Sequence, residues 1–157
     1  MSRSLFTRGP ISPAFVAESL ASHGSKTEIG AHSLFLGQVR ADEGKNGQVR
    51  VAGGQVRVAG GQVIAIEYTA YEDMALDKMH EIREAIFARH PLTCLHVYHS
   101  LGRVEAGEIS LFVFASAPHR RAAIDACAET VEAIKASLPV WGREILEQGQ
   151  SRWKWST

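Results

Sequence analysis

Between residues 120 and 139 the apolar positions Ile124, Cys127, Val131, Ile134 and Leu138 recur every three or four residues. That spacing lines one face of an α-helix, and Pro139 stops it. A second helix is predicted from Asp73, read as its cap, to about Arg89. It has Ala75, Met79, Ile82 and Ile86 on one side and Pro91 beyond its end. A short helix starts at Ser12-Pro13, serine capping and proline in the first turn, with Phe15, Val16 and Leu20 as its apolar face. Elsewhere the pattern changes. Residues 28–39 (EIGAHSLFLGQV), 63–71 (VIAIEYTAY), 93–99 (TCLHVYH) and 108–116 (EISLFVFAS) predict strands, the last two joined by a turn containing Gly102 and Gly107. With the long helix as the final element, this order implies an α+β class, a mixed or largely antiparallel sheet covered by helices. Residues 1–157 are read as a single domain.

A repeat interrupts the pattern. Residues 47–53 and 54–60 both read GQVRVAG, and 61–67 read GQVIAIE. A strand alternates with period two, so each seven-residue copy would present the opposite face to the copy before it. The glycine pairs at 53–54 and 60–61 also weaken any strand there. The expected arrangement is a tandem insertion, 47–60, lodged in a surface loop, where doubling the length costs only about 0.6 kcal/mol. Arg50 and Arg57 are then solvated. An extended hairpin that touches a partner is the other reading.

Composition excludes several functions. Lysine plus arginine equals aspartate plus glutamate at 17 each, so no overall basic field favours nucleic acid or an anionic membrane. No apolar run is long enough to span a bilayer, and the first residues lack a signal-peptide core, so a cytoplasmic location is expected. Cys94 and Cys127 match no zinc spacing and read as buried thiols. His96 and His99, three apart on a predicted strand, point to opposite faces. No metal site and no cofactor are expected.

With residues 47–60 set aside, a resemblance emerges. It is carried by GAHSLFLGQVR (30–40), IEYTAYEDMA (66–75), HSLGRVEAGE (99–108), SAPHRRAAIDA (116–126), IKASLPVWGRE (134–144) and SRW (151–153), in that order. Together they resemble the catalytic (large) subunit of molybdopterin synthase, the MoaE family. The resemblance implies an α/β hammerhead-type fold with an added small subdomain. It implies a homodimer within a heterotetramer, with a small ubiquitin-like sulfur-carrier subunit at each end. That partner bears a thiocarboxylate on its C-terminal Gly-Gly. The implied reaction moves its sulfur in two rounds onto cyclic pyranopterin monophosphate, a pterin, to make molybdopterin for molybdenum cofactor biosynthesis.

The resemblance maps the catalytic lysine onto Lys135. It maps substrate contacts onto Gln38, Val39, Arg40, His119, Arg120, Gly142, Arg143 and Glu144, with Gln38 and Val39 contributing mainly backbone. The residues suit this in part on their own terms. His119-Arg120 precedes a helix, whose first N–H groups and dipole favour an anion, and an arginine fork fits phosphate. Lys135 sits beside the apolar stripe, where desolvation can make an amine a base or nucleophile. Read alone, it is rather a lysine whose stem covers that stripe, and Arg40 a solvated strand end. Arg120 and Lys135 are 15 residues apart, roughly 22 Å along one helix. Either the helix breaks, or two subunits share each site.

Two positions depart from the family pattern. Gly142 follows Trp141 where the family has a second lysine, and Ser100 follows His99 where arginine is common. Arg143 could bind an anion in its place but not act as a base. The Gly142 departure favours an alternative, a non-catalytic homodimeric relative that binds the phosphorylated pterin or the small carrier with weak or no turnover; the intact His119-Arg120 and Lys135 oppose it. Arg121 is read as a surface charge; Tyr68, Tyr71 and Met74 as core or interface; Trp141, Trp153 and Trp155 as packing a C-terminal segment onto the body.

Overall fold

The structure is a computed structural model that describes residues 5–41, 48–50, 56–58, 62–147 and 151–154. Its elements are β1 (Phe6–Arg8), α1 (Pro13–Ser22), β2 (Ala31–Gln38), β3 (Gln48–Arg50), β4 (Val56–Val58), β5 (Val63–Ala70), α2 (Glu72–Arg89), β6 (Cys94–Glu105), β7 (Ile109–Ala117), α3 (Arg120–Ser137), β8 (Val140–Leu146) and β9 (Ser151–Lys154). The α+β class holds. The main sheet runs β2-β7-β6-β5-β8-β9, with β1 added parallel to β6. The other pairings in this sheet are antiparallel.

Burial explains why the sheet forms where it does. Residues 110–117 of β7 are all buried, which places this strand between two layers and accounts for its unbroken apolar run. On one face Leu111, Val113 and Ala115 meet Ala75, Met79, Ile82 and Ile86 of α2 and Ala126, Cys127, Val131 and Ile134 of α3. On the other, Phe112 and Phe114 meet Ile11 and Val16 of the α1 region, with Phe15 against Tyr98 at 4.8 Å between ring centroids. A smaller core of Val39, Val63, Ile66, Val104 and Leu146 fills the β5-β8 end.

Several expectations need correction. The chain does not end on a helix: after α3 come β8, which pairs with β5 over Val63–Ala70, and β9. Residues 140–146 (VWGREIL) interrupt their apolar alternation with Gly142, so period two was weak there. The strand predicted over 93–99 runs on to Glu105, because Gly102 (φ +81°) takes up the bend that lets β6 leave β7 and pair with β5. The turn lies at Gly107 alone. Helix α2 starts at Glu72, with Tyr71 rather than Asp73 as N-cap. Ile124 and Leu20 are exposed, so the stripe of α3 is instead completed by Ala123, Ala126 and Thr130, and α1 buries only Val16. Tyr71 and Met74 are exposed as well and are not core. The Ser12 cap is as expected, its hydroxyl accepting from the Phe15 N–H at 3.1 Å.

The two heptads pair with each other. Gln48, Val49 and Arg50 face Val58, Arg57 and Val56 in a separate two-stranded antiparallel sheet between β2 and β5. The glycine pairs of the repeat and Trp155 lie outside the described residues.

Candidate functional site

Each end of α3 carries one half of the candidate chemistry. At its start, His119 is the N-cap and Arg120 the first helical residue, both exposed. They line a cleft of about 480 Å³ with Gly30, Pro118 and Arg121. The loop entering the helix is held by the end of β2: the Gly30 N–H donates to the Ala117 carbonyl at 3.0 Å. A Cβ at Gly30 would lie 2.1 Å from the Pro118 carbonyl oxygen, so only glycine fits this approach. Arg121 pairs loosely with Asp125 at 3.8 Å, as a surface charge does.

Lys135 lies in the last turn of α3 and is exposed beside buried Ile134. Its charge reaches His99 on β6. That imidazole is buried and pushed down to about 4, chiefly by desolvation; a hydrogen bond to the Ser100 carbonyl opposes the shift and Lys135 adds to it. His99 therefore stays neutral at physiological pH and puts no second positive charge beside the amine. Its ring meets Tyr68 edge-on at 5.1 Å. The Tyr68 hydroxyl donates to Ser110 Oγ at 3.2 Å, and Ser110 donates to the Gly37 carbonyl at 3.4 Å. Burial raises the Tyr68 phenol's pKa, with nearby Glu144 adding to the rise against that hydrogen bond. A line of contacts thus runs from His99, within electrostatic reach of Lys135, through Tyr68 and Ser110 to the end of β2, where Gln38 and Arg40 are exposed.

Register sorts the remaining candidates. Gly142 sits opposite Tyr68 and Glu144 opposite Ile66, sharing the face that leads toward His99. Arg143 is opposite Glu67 and is bound to it at 3.1 Å on the other face. Replacing the missing lysine with Arg143 would require breaking that pair and reversing the side chain. Val39 is a core residue whose N–H bonds the Glu108 carbonyl and whose carbonyl accepts from Gly107. Ser100 is fully buried, its Oγ without a hydrogen-bond partner among the described residues. Tyr68, His99 and Ser110 were not among the sequence candidates. The signal present was a histidine in the HSLGRVEAGE motif, but it took sheet pairing to join it to the lysine.

Gly142 is tightly enclosed. An added Cβ would meet Ile66 Cγ2 at 2.8 Å and Tyr68 Cε1 at 3.3 Å. Gly142→Ala is expected to cost about 1–3 kcal/mol through overpacking, read as a lower denaturant midpoint with an unchanged m-value. His99 gives a pH signature. Its folded value lies below the ordinary 6.5, so below about 6.5 the unfolded chain binds a proton that the folded chain refuses. Its neutral burial therefore costs stability progressively as pH falls from about 6.5 to about 4, by about 3 kcal/mol in all. His99→Asn should flatten the melting temperature against pH across that window relative to the parent.

Between the two ends α3 is unbroken over 18 residues. One protomer therefore cannot bring Arg120 and Lys135 onto one small substrate. Of the two alternatives left by the spacing, the helix break is removed. A further groove of about 330 Å³, lined by Thr69, Ala70, Tyr71 and Trp141, opens beside Gly142. Trp141 meets Tyr71 edge-on there at 4.9 Å.

Known proteins share both sequence and fold. The sequence profile of the MoaE protein family matches residues 6–137. A molybdopterin synthase catalytic subunit from Pyrococcus abyssi is 35% identical over 126 residues, 80% of this chain and 75% of that one. The bovine catalytic subunit is 34% identical over 80% of this chain and 58% of its own length. The chain spans only 30% of a Drosophila virilis catalytic subunit, at 38% identity. Among solved structures, molybdopterin synthase from Staphylococcus aureus superposes with a TM-score of 0.77 at 27% identity, covering 98% of both chains. A Helicobacter pylori complex of subunits 1 and 2 of molybdopterin-converting factor shares the fold at 16% identity and a TM-score of 0.73, covering 94% of this chain and 87% of that one. With a profile that spans most of its length and a fold that matches end to end, this chain belongs to the MoaE family.

Proposed function

We propose that this chain is the catalytic subunit of a molybdopterin synthase, a sulfurtransferase that acts on cyclic pyranopterin monophosphate with sulfur from a small carrier subunit. The observation that carries the site reading is the unbroken α3, which holds an anion-binding pair and an amine at opposite ends. In a homodimer, His119 and Arg120 of one copy grip the substrate's cyclic phosphate through charge-assisted hydrogen bonds. Lys135 of the other copy faces the reacting carbon beside neutral His99. There it takes up and returns a proton as the carrier's thiocarboxylate sulfur bonds to that carbon, and water then cleaves the acyl–sulfur bond, leaving sulfur on the pterin and releasing the carrier as its carboxylate. Arg40, at the end of the Tyr68–Ser110–Gly37 line, adds a second cation. The groove at Tyr71 and Trp141 has largely apolar walls that suit a Gly-Gly tail on its way to Lys135. No helix of the described residues is long and apolar enough to cross a membrane, which fits the cytoplasmic location that this reaction implies.

The closed environment of Gly142 favours a second reading, a relative that binds the pterin or the carrier with little turnover. One assay separates the two. The purified chain is mixed with thiocarboxylated carrier and pterin, and dithiolene product is measured. Product at a rate well above the no-enzyme control supports the synthase. Carrier binding with no product supports the non-catalytic relative.

A further inference from the structure

On the α1 side of the sheet, the face of β6 opposite to His99, three ligand-type side chains converge. Cys94 and His96 are two apart on β6 and so share a face. His96 and His99 do fall on opposite faces, but the partner of His96 is not on its own strand. It is His23, at the C-cap of α1, 73 residues away in sequence. His23, Cys94 and His96 are all buried, and their ligand atoms lie within 4.8 Å of one another. We propose that His23, Cys94 and His96 form a zinc-type metal site that ties α1 to the sheet. This does not depend on the reading of the Lys135 site.

The geometry matches a soft or borderline divalent cation. The two Nε2 atoms are 3.1 Å apart; tetrahedral zinc with Zn–N of about 2.05 Å has an N···N edge of about 3.3 Å. The sulfur lies at most 4.8 Å from either nitrogen, against about 3.6 Å for a thiolate edge, a gap that a modest χ1 rotation closes. His23 is already oriented as a ligand. Its Nδ1–H donates to the Ser19 carbonyl, one turn back, at 2.6 Å, which fixes the tautomer that leaves the Nε2 lone pair facing His96. Phe114 meets the His23 ring edge-on at 4.7 Å and supplies an apolar wall. Lys26, at the exposed rim, donates to Cys94 Sγ at 2.9 Å, the kind of outer contact that orients a ligating sulfur. Two imidazoles and one thiolate select zinc, or cobalt as its probe, over magnesium and calcium. The fourth position is left to water.

The test uses the full chain, untagged and stripped with chelator, titrated with Zn²⁺ against a chromogenic competitor and, separately, with Co²⁺. The expected result is one ion per chain, a rise in melting temperature, and a thiolate-to-cobalt charge-transfer band in the near ultraviolet. Cys94→Ser should abolish that band, and His96→Gln and His23→Gln should each weaken binding by about 100-fold or more. Should any variant fail to fold, the wild-type cobalt spectrum decides alone. Absence of the thiolate band in the wild type overturns the proposal. So does a thiolate band that survives in folded Cys94→Ser, which would place the ion on Cys127, or an unchanged affinity there, which would place it on imidazoles elsewhere.

Discussion

Lys135→Ala should reduce dithiolene formation by roughly 10²- to 10⁴-fold, the range typical of losing a positioned proton-transfer group. Its side chain is exposed and outside the core, so unfolding free energy should stay within about 0.5 kcal/mol of the parent. Arg120→Ala should lower kcat/KM by roughly 10- to 100-fold through the lost charge-assisted bonds to phosphate. The decisive result comes from mixing the two variants. If each site takes Arg120 from one copy and Lys135 from the other, refolded mixtures contain hybrid dimers with one wholly intact site. Random assembly then restores roughly a quarter of the wild-type rate. If both residues served a site within one protomer, the mixture would stay as inactive as its parts, because no hybrid could then hold both groups at one site.

Gly30→Ala should be the most damaging alanine substitution among the described glycines. The added Cβ lies 2.1 Å from the Pro118 carbonyl oxygen, far inside contact distance. The clash is with backbone, so no rotamer relieves it. Gly30 can yield only by giving up its hydrogen bond to the Ala117 carbonyl and pushing the His119-Arg120 loop away from β2. We expect a loss of about 3 kcal/mol or more, a fall of about 10 °C in melting temperature for a domain of this size. Substrate KM should rise even at temperatures where the variant is fully folded. A variant with parental stability and parental KM would show that this close approach has no structural role.

The difference between these two predictions reflects what each kind of information can reach. Lys135 and Arg120 were legible in the sequence through the motifs that resemble the family, and both lie on one strongly periodic helix. Their separation along it follows from a fixed rise per residue. The strands at 31–38, 63–70 and 109–117 were visible as short runs rich in apolar and β-branched residues. Gly30 was visible only as part of a motif. Nothing in its own neighbourhood says that a proline carbonyl, 88 positions later, occupies the space of its missing side chain.

The amino-acid sequence by itself determined the α+β class, the family, the helix that separates the cation pair from the amine, and the absence of a lysine at 142. Each of these is a short-range or compositional property. Only the tertiary structure decided that β8 inserts beside β5 and turns Arg143 toward Glu67, and that Tyr68 packs on neutral His99 within electrostatic reach of Lys135. It also decided that His23 meets His96 across 73 residues. Those are matters of register between strands far apart in the chain, and a shift of one residue would send every such side chain to the opposite face.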